Sequence, residues 1–455
     1  MDKFDVVVIG AGPGGTDAAR EVLKAGKSVA VVEAGLFGGV CLNCGCIPTK
    51  MLLGAAAPTF LLAAQKRMRI ASGEVAVDFQ ALQSRIARFT KASSQTVAKS
   101  LAAAGAALIE GRGELLAPGR VAVRGKDGAV EIEGGDVILA CGSSPASFPG
   151  LVPDHDCILD STDLLQSKSV PRSLVIVGAG AIGVEFAQFF NAMGCRVTLV
   201  EAAPHIAPLE DADVALELKR ALAKSGIECL EGVKAKSLKT VDGMAELELE
   251  DGSLVKADKA VVAVGRRPST AGLGAETAGC VLDRRGFVQT NAFLEAAPHV
   301  YAVGDVNGRT LLAHAASHQG AYCARRLLGL EQGAYQPGPV PACYYGGMEI
   351  MRVGATAQAL LKEGKAVEVS SVPLSMNPLA QAGAATAGFV KAVWCEGSLA
   401  GICAVGAGVS HLVTVAQLLM QADPAAEHLH RTMFAHPTLD EIVPMALRAE
   451  RKPAA

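Results

Sequence analysis

Cys41, Cys44 and Cys46 fall within six residues of one another in GGVCLNCGCIPTK, residues 38–50. Thiols at this density admit three chemistries. Two of them could form a redox disulfide that exchanges with other thiols through a mixed disulfide. All three could bind a metal, but the ligands lie too close together and no second Cys/His cluster is near. They could also be structural, a reading that the flanking Gly and Pro argue against. On a regular helix, residues five apart point about 140° away from each other and residues three apart about 60°. A Cys41–Cys46 bond therefore needs a distorted first turn, which Gly45 and Pro48 permit. A Cys41–Cys44 bond would be sterically simpler and would read as a C-x-x-C site. Spacing leaves both pairings open. A second candidate stands near the C-terminus, where His436 opens HPTLDE and Glu441 follows five residues on. A carboxylate on one imidazole nitrogen sets the tautomer and raises basicity at the other, which suits acid–base work on a thiol.

The elements that must position these groups show up as an internal repeat. FDVVVIGAGPGG runs on to VAVVEAG, and SLVIVGAGAIG runs on to VTLVEAA. Each copy has an apolar strand, a G-x-G-x-x-G, a helical stretch, a second strand and an acid. The glycines are Gly10, Gly12 and Gly15, then Gly178, Gly180 and Gly183; the acids, Glu33 and Glu201, stand 23 residues beyond the first glycine in both copies. The first glycine allows the tight turn. The second lets backbone approach a pyrophosphate, and the third lets the helix pack on the strand. The acid can accept hydrogen bonds from ribose hydroxyls. Two copies imply two dinucleotides on one chain. Glu201 would repel a 2′-phosphate, and Ala202 and Ala203 rather than Arg follow it, so the second copy favours NAD over NADP. DVILACG (136–142) and KAVVAVG (259–265) are apolar strands ending in Gly142 and Gly265. HVYAVGD (299–305) ends in Gly304 and Asp305, at the carboxyl end of a strand where open α/β sheets bind ligands.

Composition bounds the rest. The 455 residues suffice for two to four domains, and 50% hydrophobic residues can build large cores. Lys and Arg number 42 against 45 Asp and Glu, for a net charge of −3, which removes the main argument for a nucleic acid or anionic membrane partner. The 50 glycines imply many tight turns. The 12 cysteines are too few for a secreted disulfide scaffold of this length, which fits a reducing cytoplasm. MDKFDVVVIG reads as a strand start rather than a signal peptide. The uncharged run 397–421 is long enough to span a bilayer, but its glycines and polar residues predict a strand over 398–405, a glycine turn, and a helix capped by Ser410. After about residue 336 no phosphate loop follows, and short strands alternate with helices.

The cysteine stretch resembles the redox motif of the pyridine nucleotide–disulfide oxidoreductases, within them most closely the branch that oxidises dihydrolipoyl groups, whose motif reads Cys-Leu-Asn-Val-Gly-Cys-Ile-Pro-Ser-Lys. The resemblance spans essentially the whole chain, through Gly304–Asp305, Leu312-Ala313-His314 and His436-Pro437-Thr438. It implies an α/β fold: two Rossmann-like dinucleotide-binding domains plus a C-terminal α+β dimerisation domain. The expected division is an FAD domain over 1–149 and 271–335, an NAD domain over 150–270 and an interface domain over 336–455. It implies FAD and NAD as cofactors and no metal. By the same resemblance Cys41 and Cys46 form the disulfide, with Cys46 the thiolate near the flavin and Cys41 the thiol that exchanges with substrate. Lys50 approaches the flavin and pairs with Glu185, and Asp305 bonds the ribityl chain. Gly142, Gly265, Gly304 and Ala313 line the cofactor sites. His436 and Glu441 are the acid–base couple, supplied by the second subunit of a homodimer. The partner is dihydrolipoamide or the lipoyl domain of another chain, and the alternative is a related NAD(P)H-dependent disulfide reductase with a different substrate. Six places depart from the family pattern: Cys44, Cys141, Phe434, Ser317-His318-Gln319-Gly320, the YYGGME run at 344–349, and Gln381. They leave the flavin chemistry intact and put the partner and the preferred disulfide in question.

Overall fold

The computed structural model describes residues 1–126, 128–421, 429 and 431–454. The chain divides into two units, Met1–Pro48 with Gln83–Ala146 and Arg266–Pro337, and Thr49–Leu82 with Ser147–Gly265 and Gly338–Ala455.

The first unit is built on an eight-stranded sheet. The strand Asp2–Ile9 lies between Val29–Glu33 and Gly128–Leu139, parallel to both. Ala107–Glu110 and Val300–Ala302 extend the parallel set on either side. The alternation of a strand explains the two layers. Val6 and Val8 pack with Ala18, Ala19 and Val22 of the helix Pro13–Lys24. Val7 and Ile9 pack on the other face with Leu115, Val121 and Val306. The helix Pro13–Lys24 lies so close to Ala313–Leu327 that a Cβ on Gly320 would fall 2.1 Å from the Gly14 carbonyl oxygen.

The second unit holds the other copy of the repeat. Its five-stranded parallel sheet runs Glu228–Glu231, Arg196–Glu201, Ser173–Val177, Lys259–Val262, Ile158–Leu159. The helix Ala181–Ala192 that follows the glycine turn buries Phe186, Phe189 and Phe190. The last part of the chain forms a six-stranded antiparallel sheet, in which Glu349–Gly354, Ser398–Gly406, Gly388–Cys395 and Val367–Pro373 are neighbours. One face carries an apolar core under the helices Val413–Gln421 and Ile442–Arg448. On the other, Arg352, Cys403 and Lys391 sit side by side across three strands. Lys391 Nζ is buried between Asp211 at 2.9 Å and Asp213 at 2.6 Å. Arg352 Nε meets the buried Glu210 at 2.9 Å.

The uncharged run 397–421 is, as the glycines suggested, a strand, a turn and a helix. The cap differs from expectation. Gly408, at φ +75°, starts a 3-10 turn over Val409–Leu412, and Ser410 lies inside that turn with its N–H donating to Glu349 Oε2 at 2.9 Å. The left-handed backbone required there favours glycine over a serine cap. Among the described residues, the stretch Gly39–Arg67 is long and apolar enough to cross a membrane by length and composition. It is broken at Gly45 and carries Lys50 in an ion pair with the buried Glu185.

The Lys391 cluster yields a stability prediction. Removing the cation leaves the buried Asp211 uncompensated beside the half-exposed Asp213, which costs about 3 kcal/mol. Lys391→Met is expected to lower stability by that amount in urea denaturation, and adding Asp211→Asn to recover part of it. Unchanged stability in Lys391→Met would refute the assignment.

Candidate active site

The two glycine turns repeat one geometry, the first copy in the first unit and the second in the second. Gly10 and Gly178 have φ of +108° and +104°, and a Cβ on either would fall 2.3 or 2.4 Å from the carbonyl oxygen of Ala140 or Ala263. A Cβ on Gly15 or Gly183 would lie 1.9 Å from the oxygen of Gly10 or Gly178. Any larger residue at these four positions is excluded. The middle glycines differ in kind. Gly180 has nothing within 4 Å of its Cβ position, and Gly12 has only the Gly39 Cα, at 4.0 Å. These two cap the helices Pro13–Lys24 and Ala181–Ala192 and leave open space at the helix N-terminus. Glu33 accepts N–H bonds from Ala11 at 2.7 Å and Gly35 at 2.8 Å. Glu201 does the same from Ala179 at 2.7 Å and Ala203 at 2.8 Å. Each carboxylate keeps lone pairs for ribose hydroxyls. An open N-terminus beside an acid held in this way fits a dinucleotide.

In the first unit, Gly142 and Gly304 take φ of +69° and +74°. Asp305 accepts a hydrogen bond from the Ser143 hydroxyl. Arg266 holds Ser143 in turn, with Nε donating to Ser143 Oγ and Nη2 to Ser143 O, each at 2.7 Å, and lies 3.6 Å from Asp305. Gln319, buried where the family usually has Glu, accepts from Gly304 N at 2.8 Å and Asn307 Nδ2 at 2.7 Å. Ala313 opens the helix Ala313–Leu327. In the second unit, Gly265 takes φ +128°.

The cysteine segment is anchored to the first glycine turn. Gly38 N–H donates to Ala11 O at 2.8 Å, and a Cβ on Gly39 would lie 2.7 Å from Gly12 Cα. The helix Gly39–Cys44 carries Cys41 and ends at Cys44; Gly45, at φ −149° and ψ −110°, interrupts it; Cys46 then opens the helix Cys46–Arg67. The distortion that a Cys41–Cys46 bond needs is therefore present, with those two cysteines a near pair across the break. A Cβ on Gly45 would stand 2.9 Å from the Val40 carbonyl oxygen. Asn43 braces the loop through Nδ2, which donates to Leu36 O, Phe37 O and Gly39 O at 3.3, 3.0 and 2.9 Å. Its Oδ1 is buried without a donor, an acceptor that a bound cofactor can satisfy.

In the second unit, Lys50 Nζ bonds both oxygens of the buried Glu185, at 2.8 and 2.7 Å. Burial pushes the Glu185 carboxyl above its ordinary range, opposed by Lys50. Also in this unit, His436 Nδ1 meets the Glu441 oxygens at 3.1 and 3.2 Å. Glu441 is held below the usual carboxylate range, first by the Thr438 N–H at 2.9 Å and then by His436. His318 bonds Tyr335 through Nδ1. Cys141, one of the departures, is a desolvated thiol in the first unit, pushed up to about 12 by burial.

Residues 4–320 match the family model for pyridine nucleotide-disulphide oxidoreductases, and residues 340–447 match the dimerisation domain of the same family. This chain belongs to the pyridine nucleotide–disulphide oxidoreductases. As a member of that family it uses FAD and NAD, and it carries the dimerisation domain. It is 35% identical to the dihydrolipoyl dehydrogenase of Chlorobaculum tepidum, over 97% of this chain and 96% of the relative. It is also 35% identical to that of Trypanosoma brucei brucei, over 99% and 97%. Among solved structures it resembles LpdA from Mycobacterium tuberculosis, with a TM-score of 0.90 and 27% identity, covering 98% of this chain and 99% of the other. The HOCl-induced flavoprotein disulfide reductase RclA of Escherichia coli, solved as a Cu(II) complex, matches with a TM-score of 0.88 and 26% identity over 98% and 99%.

Sequence reasoning missed three groups in this oxidoreductase. These are the Ser143–Arg266 support of Asp305, the Gln319 acceptor, and a buried Gln188 whose amide meets the Met348 backbone at 2.8 Å. Gln319 had an advance signal in its departure from the family pattern, and Gln188 in being, with Glu185, one of two polar residues in the run VEFAQFF.

Gly45 supplies a test of the break. Gly45→Ala would press a methyl against the Val40 carbonyl oxygen and is expected to shift the break and prevent the proposed disulfide, so that thiol titration of the oxidised protein finds two additional reactive thiols. An unaltered thiol count would refute the role given to the break.

Proposed function

We propose that the chain oxidises dihydrolipoyl groups to the disulfide and reduces NAD+, as an FAD-dependent dihydrolipoyl dehydrogenase. The observation that carries this reading is the helix break at Gly45, with Cys41 before it and Cys46 after it. Names of relatives at 35% identity over nearly full length support it. The first glycine turn, with Glu33, Gly142, Gly304, Asp305 and Ala313, holds FAD in a domain formed by 1–149 and 271–335. The second, with Glu201 and Gly265, holds NAD in a domain over 150–270. Residues 336–455 form the interface of a homodimer that works in the cytoplasm on dihydrolipoamide or a lipoyl domain.

The thiol chemistry balances on the chain's own groups. His436, supplied by the second subunit and oriented by Glu441, takes a proton from the dithiol. The resulting thiolate attacks Cys41 sulfur, forming a mixed disulfide and releasing Cys46 as the thiolate. The second substrate thiol then attacks its own sulfur partner, so that a substrate disulfide leaves and Cys41 takes the proton. Two electrons have passed from the dithiol to the Cys41–Cys46 pair. Bound FAD supplies the two-electron carriage between this thiolate pair and NAD+. Lys50 places a fixed positive charge on the helix that Cys46 opens, and Glu185, on the helix Ala181–Ala192, is its counter-charge.

The decisive assay is NAD+ reduction by free dihydrolipoamide, set beside NADPH with glutathione disulfide. Turnover is expected in the first only, and Cys46→Ser is expected to lower it by about a thousandfold or more. Absence of dihydrolipoamide turnover with intact NADH-dependent reduction of another disulfide would move the chain to the related reductases. Glu201→Ala combined with Ala202→Arg is expected to raise kcat/KM for NADP+ relative to NAD+ by about a hundredfold, by exchanging a repulsive acid for a cation.

A further inference from the structure

The run 344–349 departs from the family pattern, and the second unit shows what the departure accommodates. Gln188 lies one turn beyond Glu185 on the helix Ala181–Ala192 and is buried. Its Oε1 accepts from Met348 N at 2.8 Å, and its Nε2 donates to Met348 O at 3.1 Å and Tyr345 O at 3.3 Å. Three of the four hydrogen-bonding capacities of the amide are thus committed to one turn of backbone. Glycine fits both positions inside that turn. A Cβ on Gly346, at φ +152°, would lie 2.3 Å from Gln188 Nε2, and one on Gly347 would lie 2.8 Å from the Phe60 ring. Gln188 and the glycine pair fit as a set: a Thr in the turn would collide with the amide, and a small residue on the helix would leave three buried backbone groups unpartnered.

The clamped turn offers two things to the ion pair. Tyr345 N–H donates to Glu185 Oε1 at 3.2 Å, and the Tyr345 ring lies under Lys50, with Nζ 4.4 Å from its centroid. A lysine carries high rotamer entropy and tolerates many geometries about a carboxylate. Here it is held by both Glu185 oxygens and by an aromatic face, a contact favoured electrostatically when desolvated.

We propose that Gln188 is a positioning residue for Lys50. It locks the turn so that one residue, Tyr345, fixes both members of the Lys50–Glu185 pair. The consequence for turnover rests on the function proposed above, whereas the consequence for the turn and for bound FAD does not.

The experiment uses the FAD-loaded enzyme in four forms: native, Gln188→Met, Lys50→Met, and the double variant. Methionine keeps the volume of Gln188 and removes its hydrogen bonds. Amide hydrogen exchange at Tyr345 and Met348 is expected to quicken by about tenfold or more in Gln188→Met, with thermal unfolding still cooperative. Reduction of bound FAD by NADH is expected to slow by about tenfold in Gln188→Met, but by less than about twofold when Gln188→Met is added to Lys50→Met. That non-additivity separates positioning of Lys50 from a general loss of structure. Unchanged exchange at Tyr345, or an equal effect of Gln188→Met in both backgrounds, would overturn the proposal. Because neither readout uses a dithiol, the outcome stands apart from whether dihydrolipoamide is the substrate.

Discussion

A carboxylate taken out of water keeps its charge only if the protein replaces the hydration it has lost, and Glu185 is buried on a helix otherwise filled with Phe186, Phe189 and Phe190. Lys50 and one backbone N–H make up that replacement. This requirement ties three distant pieces of the chain together. The helix Cys46–Arg67 must present Lys50, the helix Ala181–Ala192 must present Glu185, and the turn at 345–348 must present an N–H. Loss of any one member leaves a buried charge whose cost exceeds what the intact pair contributes, so all three are held in register. The same helix that carries Lys50 begins at Cys46.

The first unit depends on close backbone approach in the same way that the second depends on charge. Ala11, Gly12, Gly38 and Gly39 bring the cysteine segment against the first glycine turn, through one N–H bond and a contact that no side chain could share. The glycines that open space for a dinucleotide in the first turn thus also let the cysteine segment pack against that turn. The acid in each copy adds a second economy. Glu33 and Glu201 spend part of their hydrogen-bonding capacity on loop N–H groups, which holds each carboxylate in place before any ribose arrives.

What was legible in the sequence follows from range. The glycines and acids of the repeat, and the His436–Glu441 contact, are set by spacings within one supersecondary unit, and the structure reproduces them. Helix geometry also identified the obstacle to a Cys41–Cys46 bond, and the structure interrupts the helix at Gly45, between the two cysteines. Lys50 and Glu185 are 135 residues apart, and no periodicity joins them; their pairing came from resemblance alone. The Lys391–Asp211–Asp213 cluster was illegible for the same reason, because cross-strand register and helix docking bring it together. Ser410 failed as a cap since a left-handed residue was needed two residues earlier, and backbone sign is not written in side-chain polarity.

Gln188 and Gln319 carry the argument one step beyond local rules. Both are buried amides next to charged machinery, and both use an oxygen to accept backbone or side-chain N–H groups. A carboxylate at position 319 could accept the same two hydrogen bonds, but it would add a second negative charge close to Asp305, whose nearest cation is Arg266 at 3.6 Å. At position 188 it would lose both donors to the 345–348 turn. An amide avoids each conflict, because it supplies the acceptor geometry without the desolvation cost of an ion. At position 319, where the family usually has Glu, the amide is thus a neutral replacement that leaves Asp305 as the dominant charge in its own pocket.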